Sequence, residues 1–328
     1  MDYGLWTITQ KKPSMKYLPL FLLLSLTACT DFFDRQIDLP TADHKPRLSV
    51  DALFTQNDTL LTAHVTRTYG LNEERPANRE APLEGATVQI FENSSLKYEL
   101  PYRETEIINR FAYDARPDAV AFVPGRDYEI RVTHPDYPDV SATQTMPAAV
   151  ALENVRYEFL GENNVTFTNS RLRFDLPDPA GTDNYYELFL ETITRDTFRL
   201  SETQIETFES NDVVYWYSED LNTPDAVPGF QNSSLLISDE AFDGQRRSFS
   251  VPFYLYRNES GTGEFGSLTL VRVKWRHVTQ EYYRYSRSLQ DFSNAENNPL
   301  SEPVSVFSNV KNGVGCFGLR QEVVYELE

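Results

Sequence analysis

The residues of this sequence best placed to do chemistry are four in a row near its start, Leu26-Thr27-Ala28-Cys29. They close an apolar run, Leu18 to Leu26, that follows Lys11, Lys12 and Lys16. A positive flank, a short apolar segment and small residues make a secretory signal, and a cysteine at the cut site makes a bacterial lipobox. The chemistry is covalent. The Cys29 thiol takes a diacylglycerol, a signal peptidase cuts after Ala28, and the new amino terminus takes an N-acyl chain such as palmitate. The run from Tyr17 to Leu26 is well short of the ~20 residues that a bilayer span needs. A secretory signal without lipid would leave Cys29 incidental, but the sizes of Leu26, Thr27 and Ala28 favour lipidation. Met15, directly ahead of Lys16, is the more natural start, which would leave residues 1–14 outside the translated chain.

Other constellations fail on context. Gly261-Thr262-Gly263-Glu264-Phe265-Gly266 has the letters of a dinucleotide loop, but a strand pattern follows where a helix N-terminus is required. His44, His64, His134 and His277 are scattered, and no Cys-x-x-Cys spacing exists, so zinc has no support. No Gly-x-Ser-x-Gly elbow is present. Asp175, Asp178, Asp183 and Asn184 carry oxygens of the kind that calcium takes. Their spacing is not that of an EF-hand loop, and Pro177 and Pro179 favour a plain turn. In so acidic a chain a carboxylate pair is uninformative about glycoside hydrolysis. No catalytic residue, metal ligand or cofactor is therefore assigned beyond the lipid on Cys29, and the chain is expected not to be an enzyme. Tyr215, Trp216 and Tyr217 are the candidate binding residues, because three consecutive aromatics cannot all face one side of a strand.

The 328 residues carry a formal charge of −19. The leader holds three lysines against one aspartate, so its removal makes the body more acidic still. Such a body repels nucleic acid and anionic lipid. Of the two cysteines, Cys29 takes the lipid, which excludes a disulfide within the monomer. Cys316, in the apolar and glycine-rich Val314-Gly315-Cys316-Phe317, reads as a small buried hydrophobe.

These features sit on a chain with a clear order. Residues 1–28 are the signal, and 29–46 an acidic, flexible tether with Asp31, Asp34, Asp38 and Asp43. Residues 47–147 alternate apolar and polar in short runs, such as Leu48, Val50, Ala52 and Tyr128, Ile130, Val132, which predicts an immunoglobulin-like β-sandwich. Residues 148–328 continue as a second β-rich domain, with its clearest strand through Leu268, Leu270, Val271, Val273 and Trp275. One segment departs from the β rhythm. Tyr282, Tyr285, Leu289 and Phe292 fall at helical spacing, predicting a helix over about 279–293 capped by Thr279. Asn312-Gly313 predicts a hairpin turn ahead of a last strand through Val323, Val324 and Tyr325. The fold class is mainly β, with one helix in the C-terminal half.

Several short motifs in this order resemble the Bacteroidetes outer-membrane lipoproteins of domain-of-unknown-function family 4249. In the first half they are Pro46-Arg47-Leu48-Ser49-Val50, Pro82 to Val88, Tyr128 to Val132 and Val140-Ser141-Ala142. In the second they are Asp178-Pro179, Asn184-Tyr185-Tyr186, Ser238-Asp239-Glu240, Phe242-Asp243-Gly244 and Ser308 to Gly318. Cys316 departs from the pattern, since an aliphatic residue is expected there. The resemblance implies an outer-membrane lipoprotein often encoded beside a TonB-dependent transporter, with no established activity and no catalytic residues to carry over.

The expected function is a lipid-anchored, non-enzymatic envelope protein, accessory to or capturing ligand for such a transporter. Its ligand class, whether small molecule, peptide or glycan, is open. It is expected at the outer membrane, on the periplasmic face or the cell surface, with Asp31 and Asp34 favouring the surface. A surface glycan hydrolase and an adhesin or envelope-assembly module are the alternatives.

Overall fold

The computed structural model describes residues 44–328 apart from 57, 71–72, 74–81, 105–110, 117–121, 163–166, 200–204, 217–224, 257–266 and 297–301. The lipobox with Cys29, the tether as far as residue 43, Tyr217 and the Gly261–Gly266 loop lie outside the described residues. No helix among the described residues is long and apolar enough to cross a membrane.

The chain is mainly β. In order, the described elements are β1 (Leu48–Thr55), β2 (Leu61–Arg67), β3 (Thr87–Glu92), β4 (Ser95–Leu100), β5 (Tyr102–Glu104), β6 (Phe111–Ala115), β7 (Asp127–His134) and β8 (Tyr137–Thr145). They continue with β9 (Glu153–Glu162), β10 (Phe167–Pro177), β11 (Tyr185–Arg199), β12 (Ile205–Val213), β13 (Ala226–Pro228), β14 (Ser234–Ser238), β15 (Arg246–Tyr256), β16 (Ser267–Val278), α1 (Gln280–Glu296) and β17 (Val314–Leu327). A large sheet runs β13-β14-β11-β16-β17-β1-β2-β6-β5, with β12 also on β11. A four-stranded sheet (β4-β3-β7-β8) and a three-stranded sheet (β15-β10-β9) complete the fold.

Alternation makes strands such as β1, β2 and β7 two-faced, and burying the apolar face drives the layers together. Leu48, Val50, Phe54 and Val65 of the large sheet meet Val88, Ile90, Ile130 and Val132 of the four-stranded sheet in a first core. Leu188, Leu190, Val273 and Trp275 meet Leu172, Phe174, Phe249 and Val251 of the three-stranded sheet in a second. Residue 147 falls in the connection between β8 and β9. The sheet nevertheless continues across that point, and residues 45–328 form one compact unit.

Strand β17 makes that continuity. Its start pairs in parallel with β1 (Val50↔Gly315), its end antiparallel with β16 (Trp275↔Val323), and Arg320 belongs to both ladders. Gly315 has φ +107°, and a Cβ there would collide with the Val50 carbonyl, so only glycine lets the strands close. Asn312-Gly313 therefore opens no hairpin: β17 follows it and joins β1 and β16, while Lys311 bridges to Ser141 of β8. Asn309 stands in for a missing strand partner. Its side chain donates from Nδ2 to Phe317 O (2.7 Å) and accepts from Phe317 N at Oδ1 (3.0 Å).

Helix α1 lies where periodicity placed it, with two differences. Its buried residues are Tyr283, Ser286 and Gln290, while Phe292 of the expected stripe is exposed. The polar pair is buried because it binds the turn after β13: Phe230 N donates to Ser286 Oγ (3.4 Å), and Gln290 Nε2 donates to Asn232 Oδ1 (3.0 Å). Thr279 accepts Tyr283 N at its carbonyl, but its hydroxyl oxygen accepts Leu319 N at 3.5 Å, so its side chain anchors β17.

Candidate functional site

Strand β11 leaves the loop after β10 at Tyr185, and alternation sends Tyr185 and Tyr186 to opposite faces. Tyr186 turns into the second core beside its cross-strand partner His277, with ring centroids 5.0 Å apart. Its hydroxyl donates to Asp178 Oδ1 (2.6 Å), and Gly244 N donates to Asp178 Oδ2 (2.9 Å). Asp239, only 1% exposed, accepts both Asn184 N (2.8 Å) and Asn184 Nδ2 (3.1 Å) at Oδ2. Gly181 N donates to Asp243 Oδ1 (2.9 Å). The loop 178–184 is thus pinned to the turn 239–244.

One oxygen from each of Asp178, Asp239 and Asp243 lies within 4.8 Å of the others, an arrangement that could hold a metal ion. The donors to these carboxylates, the Tyr186 hydroxyl, the Asn184 side-chain amide and the backbone N–H groups of Gly181, Asn184 and Gly244, are neutral. Burial, reinforced by the Asp178 and Asp243 carboxylates, raises the Asp239 pKa above its ordinary value. Burial also raises Tyr186, and its bond to Asp178 adds to the shift, so the hydroxyl stays a donor.

In front of this knot is a cleft of about 510 Å³. Asp127 opens β7, Thr143 to Pro147 close β8, Thr182, Asp183 and Tyr185 lead into β11, and His277 to Glu281 join β16 to α1. Asp127, Asp183 and Glu281 supply three carboxylates, and no lysine or arginine is among the described residues that line it. His277 is 9% exposed, and its Nδ1 lies 2.6 Å from Ala148 O. A carbonyl only accepts, so the proton is on Nδ1, and in the neutral ring Nε2 carries the lone pair. Burial depresses the His277 pKa against the opposing pull of Ala148 O and Asp178. The Tyr185 hydroxyl accepts from Gln280 Nε2 (2.7 Å), tying the helix start to the cleft wall.

A family model described as Domain of unknown function (DUF4249) matches residues 34–326. The chain belongs to this family. A search of curated proteins finds no match. In this DUF4249 chain the second-half motifs Asp178-Pro179, Asn184-Tyr185-Tyr186, Ser238-Asp239-Glu240 and Phe242-Asp243-Gly244 all meet in the knot, although some 50 residues separate the two groups. The motif around Asn312 to Gly318 is the β1–β17 junction.

The aromatic trio is divided. Tyr215 is 57% exposed, Trp216 is 2% exposed within the second core, and neither lines the cleft. The four residues considered around calcium also separate. Asp178 and Asn184 are in the knot, and Asp183 faces the cleft. Asp175 bonds Asn154 and Ser248 on the outer face of β10. Cys316 is buried, which pushes its thiol pKa up and keeps it protonated. Asp239 and Asp243 were recognisable beforehand only as members of the short motifs Ser238-Asp239-Glu240 and Phe242-Asp243-Gly244. Asp127, His277 and Glu281 had no signal, because they come from three distant segments.

Proposed function

We propose that this protein is a lipid-anchored, non-enzymatic component of the cell envelope that captures a ligand for a TonB-dependent transporter of the outer membrane. The observation that carries the reading is Leu26-Thr27-Ala28-Cys29 behind a basic, apolar leader. Diacylglycerol and an N-acyl chain on Cys29 hold the body to the membrane through the tether, with Asp31 and Asp34 favouring the cell surface. The cleft beside the aspartate knot is the place for ligand. Two sheets packed around the first core support reading residues 47–147 as immunoglobulin-like, joined to the second core through one sheet.

Fractionation of cells expressing the full chain tests the anchor. Wild-type protein is expected in the outer membrane and the Cys29→Ser variant in the soluble fraction; a variant that still sediments with the membrane overturns lipidation as the anchor. Purification in mild detergent tests the partnership. Recovery of a transporter barrel is expected, and its absence under conditions that preserve known complexes overturns the accessory role.

A further inference from the structure

From the composition of the cleft we infer that its ligand is cationic, an amine-bearing peptide that places a lysine side chain or its amino terminus against Asp127, Asp183 and Glu281. The inference rests on the ligand-capture reading and adds the chemical class.

Among the described residues the wall offers acceptors and no cations. Acidic residues line it from β7, from the loop before β11 and from the first turn of α1, and no lysine or arginine is among the described lining residues. Asp127 has one oxygen engaged, Oδ1 accepting from Thr145 Oγ1 at 2.6 Å. Its second oxygen has no such bond to Thr145. His277 also lines the cleft, and its ring adds an acceptor. It is nine-tenths buried, its Nδ1 proton is committed to Ala148 O, and Nε2 is the ring atom left for a donor. An ammonium carries three donors and no acceptor, which matches such a wall. A carboxylate or phosphate would face three like charges with no cation among the described lining residues to offset them.

Size and surroundings agree. A volume of about 510 Å³ is within the ~300–1,000 Å³ of ligand sites, enough for a few residues of peptide. Thr143, Thr145 and Thr182 add hydroxyls, and the half-buried Pro147 gives the aliphatic stem of a lysine an apolar surface. The overall formal charge of −19 steers a cation toward the body from a distance. The cleft also draws its walls from both sides of the β8–β9 connection, so an occupant touches both halves at once.

The test is calorimetric titration of the purified full-length protein in mild detergent with a lysine-rich hexapeptide, its lysine-acetylated form and a neutral oligosaccharide. The unmodified peptide is expected to bind one to one, with affinity at least tenfold above the acetylated form and falling as salt rises. The double variant Asp183→Asn with Glu281→Gln is expected to lose at least tenfold, while Glu209→Gln, remote on β12, keeps wild-type affinity. Matching thermal melts confirm that the variants are folded. Equal binding by wild type and double variant means diffuse attraction to an acidic body and overturns the inference. No binding of the peptide, or binding of the oligosaccharide in its place, overturns it as well. These outcomes are separate from the parent reading. A protein that recovers the transporter but ignores the peptide loses only the ligand class, and one that binds the peptide but never recovers a transporter loses only the accessory role.

Discussion

Tyr186 and Glu187 are neighbours on β11, yet they enter two environments that solve the problem of a buried carboxylate in opposite ways. On the Glu187 side the charges balance. Glu187 Oε2 meets Arg276 at 3.0 Å and Arg320 at 3.7 Å, Ser234 Oγ and Tyr282 Oη both donate to Oε1 at 2.9 Å, and Arg276 Nε reaches Glu322 at 2.7 Å. On the Tyr186 side Asp178, Asp239 and Asp243 gather with tyrosine, asparagine and backbone N–H groups, and no lysine or arginine among the described residues forms a salt bridge with them. Neutral donors orient a carboxylate without cancelling its charge, whereas guanidinium groups do both. Burial raises Glu187, but Arg276 and Arg320 more than offset it and leave its pKa lowered, while Asp239 is left raised.

The largest test of this contrast is Arg276→Met, which strands Glu187 without its closest cation. Urea unfolding is expected to show a loss of about 3–5 kcal/mol, and a loss under ~1 kcal/mol would mean that Arg320 alone holds Glu187. Tyr186→Phe follows at about 1–3 kcal/mol, because buried Asp178 loses a donor; an unchanged midpoint would show that Gly244 N suffices.

The pH profiles should then run in opposite directions. Glu187, with its folded pKa below the unfolded value, contributes stability above the unfolded value of ~4.3 that is lost as pH falls. Asp239, with its folded pKa raised, contributes stability fully present below ~3.9 that is lost as pH rises through the folded value. The stability difference between wild type and Glu187→Gln is therefore expected to grow from acid to neutral pH, and that between wild type and Asp239→Asn to shrink. Parallel slopes in urea series across this range would refute the distinction. Asp243→Asn, at the exposed edge of the knot, is expected to change stability by no more than ~0.5 kcal/mol, a shift readable in the same series.

Much of the architecture was legible because period-two alternation is a local signal. Leu48-Val50-Ala52, Val88-Ile90 and Val271-Val273-Trp275 announce strands whose burial follows the pattern. Helix α1 was legible from its spacing, but its buried face was not, since Ser286 and Gln290 are buried for their bonds to the Phe230–Asn232 turn. Asn312-Gly313 has the form of a hairpin turn, yet the start of β17 pairs with β1, at the opposite end of the described chain. For the same reason the four short Asp- and Asn-bearing motifs were visible one by one, while their convergence was not. The cleft left no trace in any single window.

The double engagement of β17 also bears on how the chain reaches its native state. The ladder Val50↔Gly315 joins one of the first strands formed to the last, and Phe317 and Leu319 are part of the first core. A growing chain cannot complete even its N-terminal half until the final strand arrives. Closure of so long a loop is slow and depends on late, non-local contacts. Folding of both halves is thereby deferred to a single closing step, and until then the exposed edge of β1 needs protection from pairing with other chains.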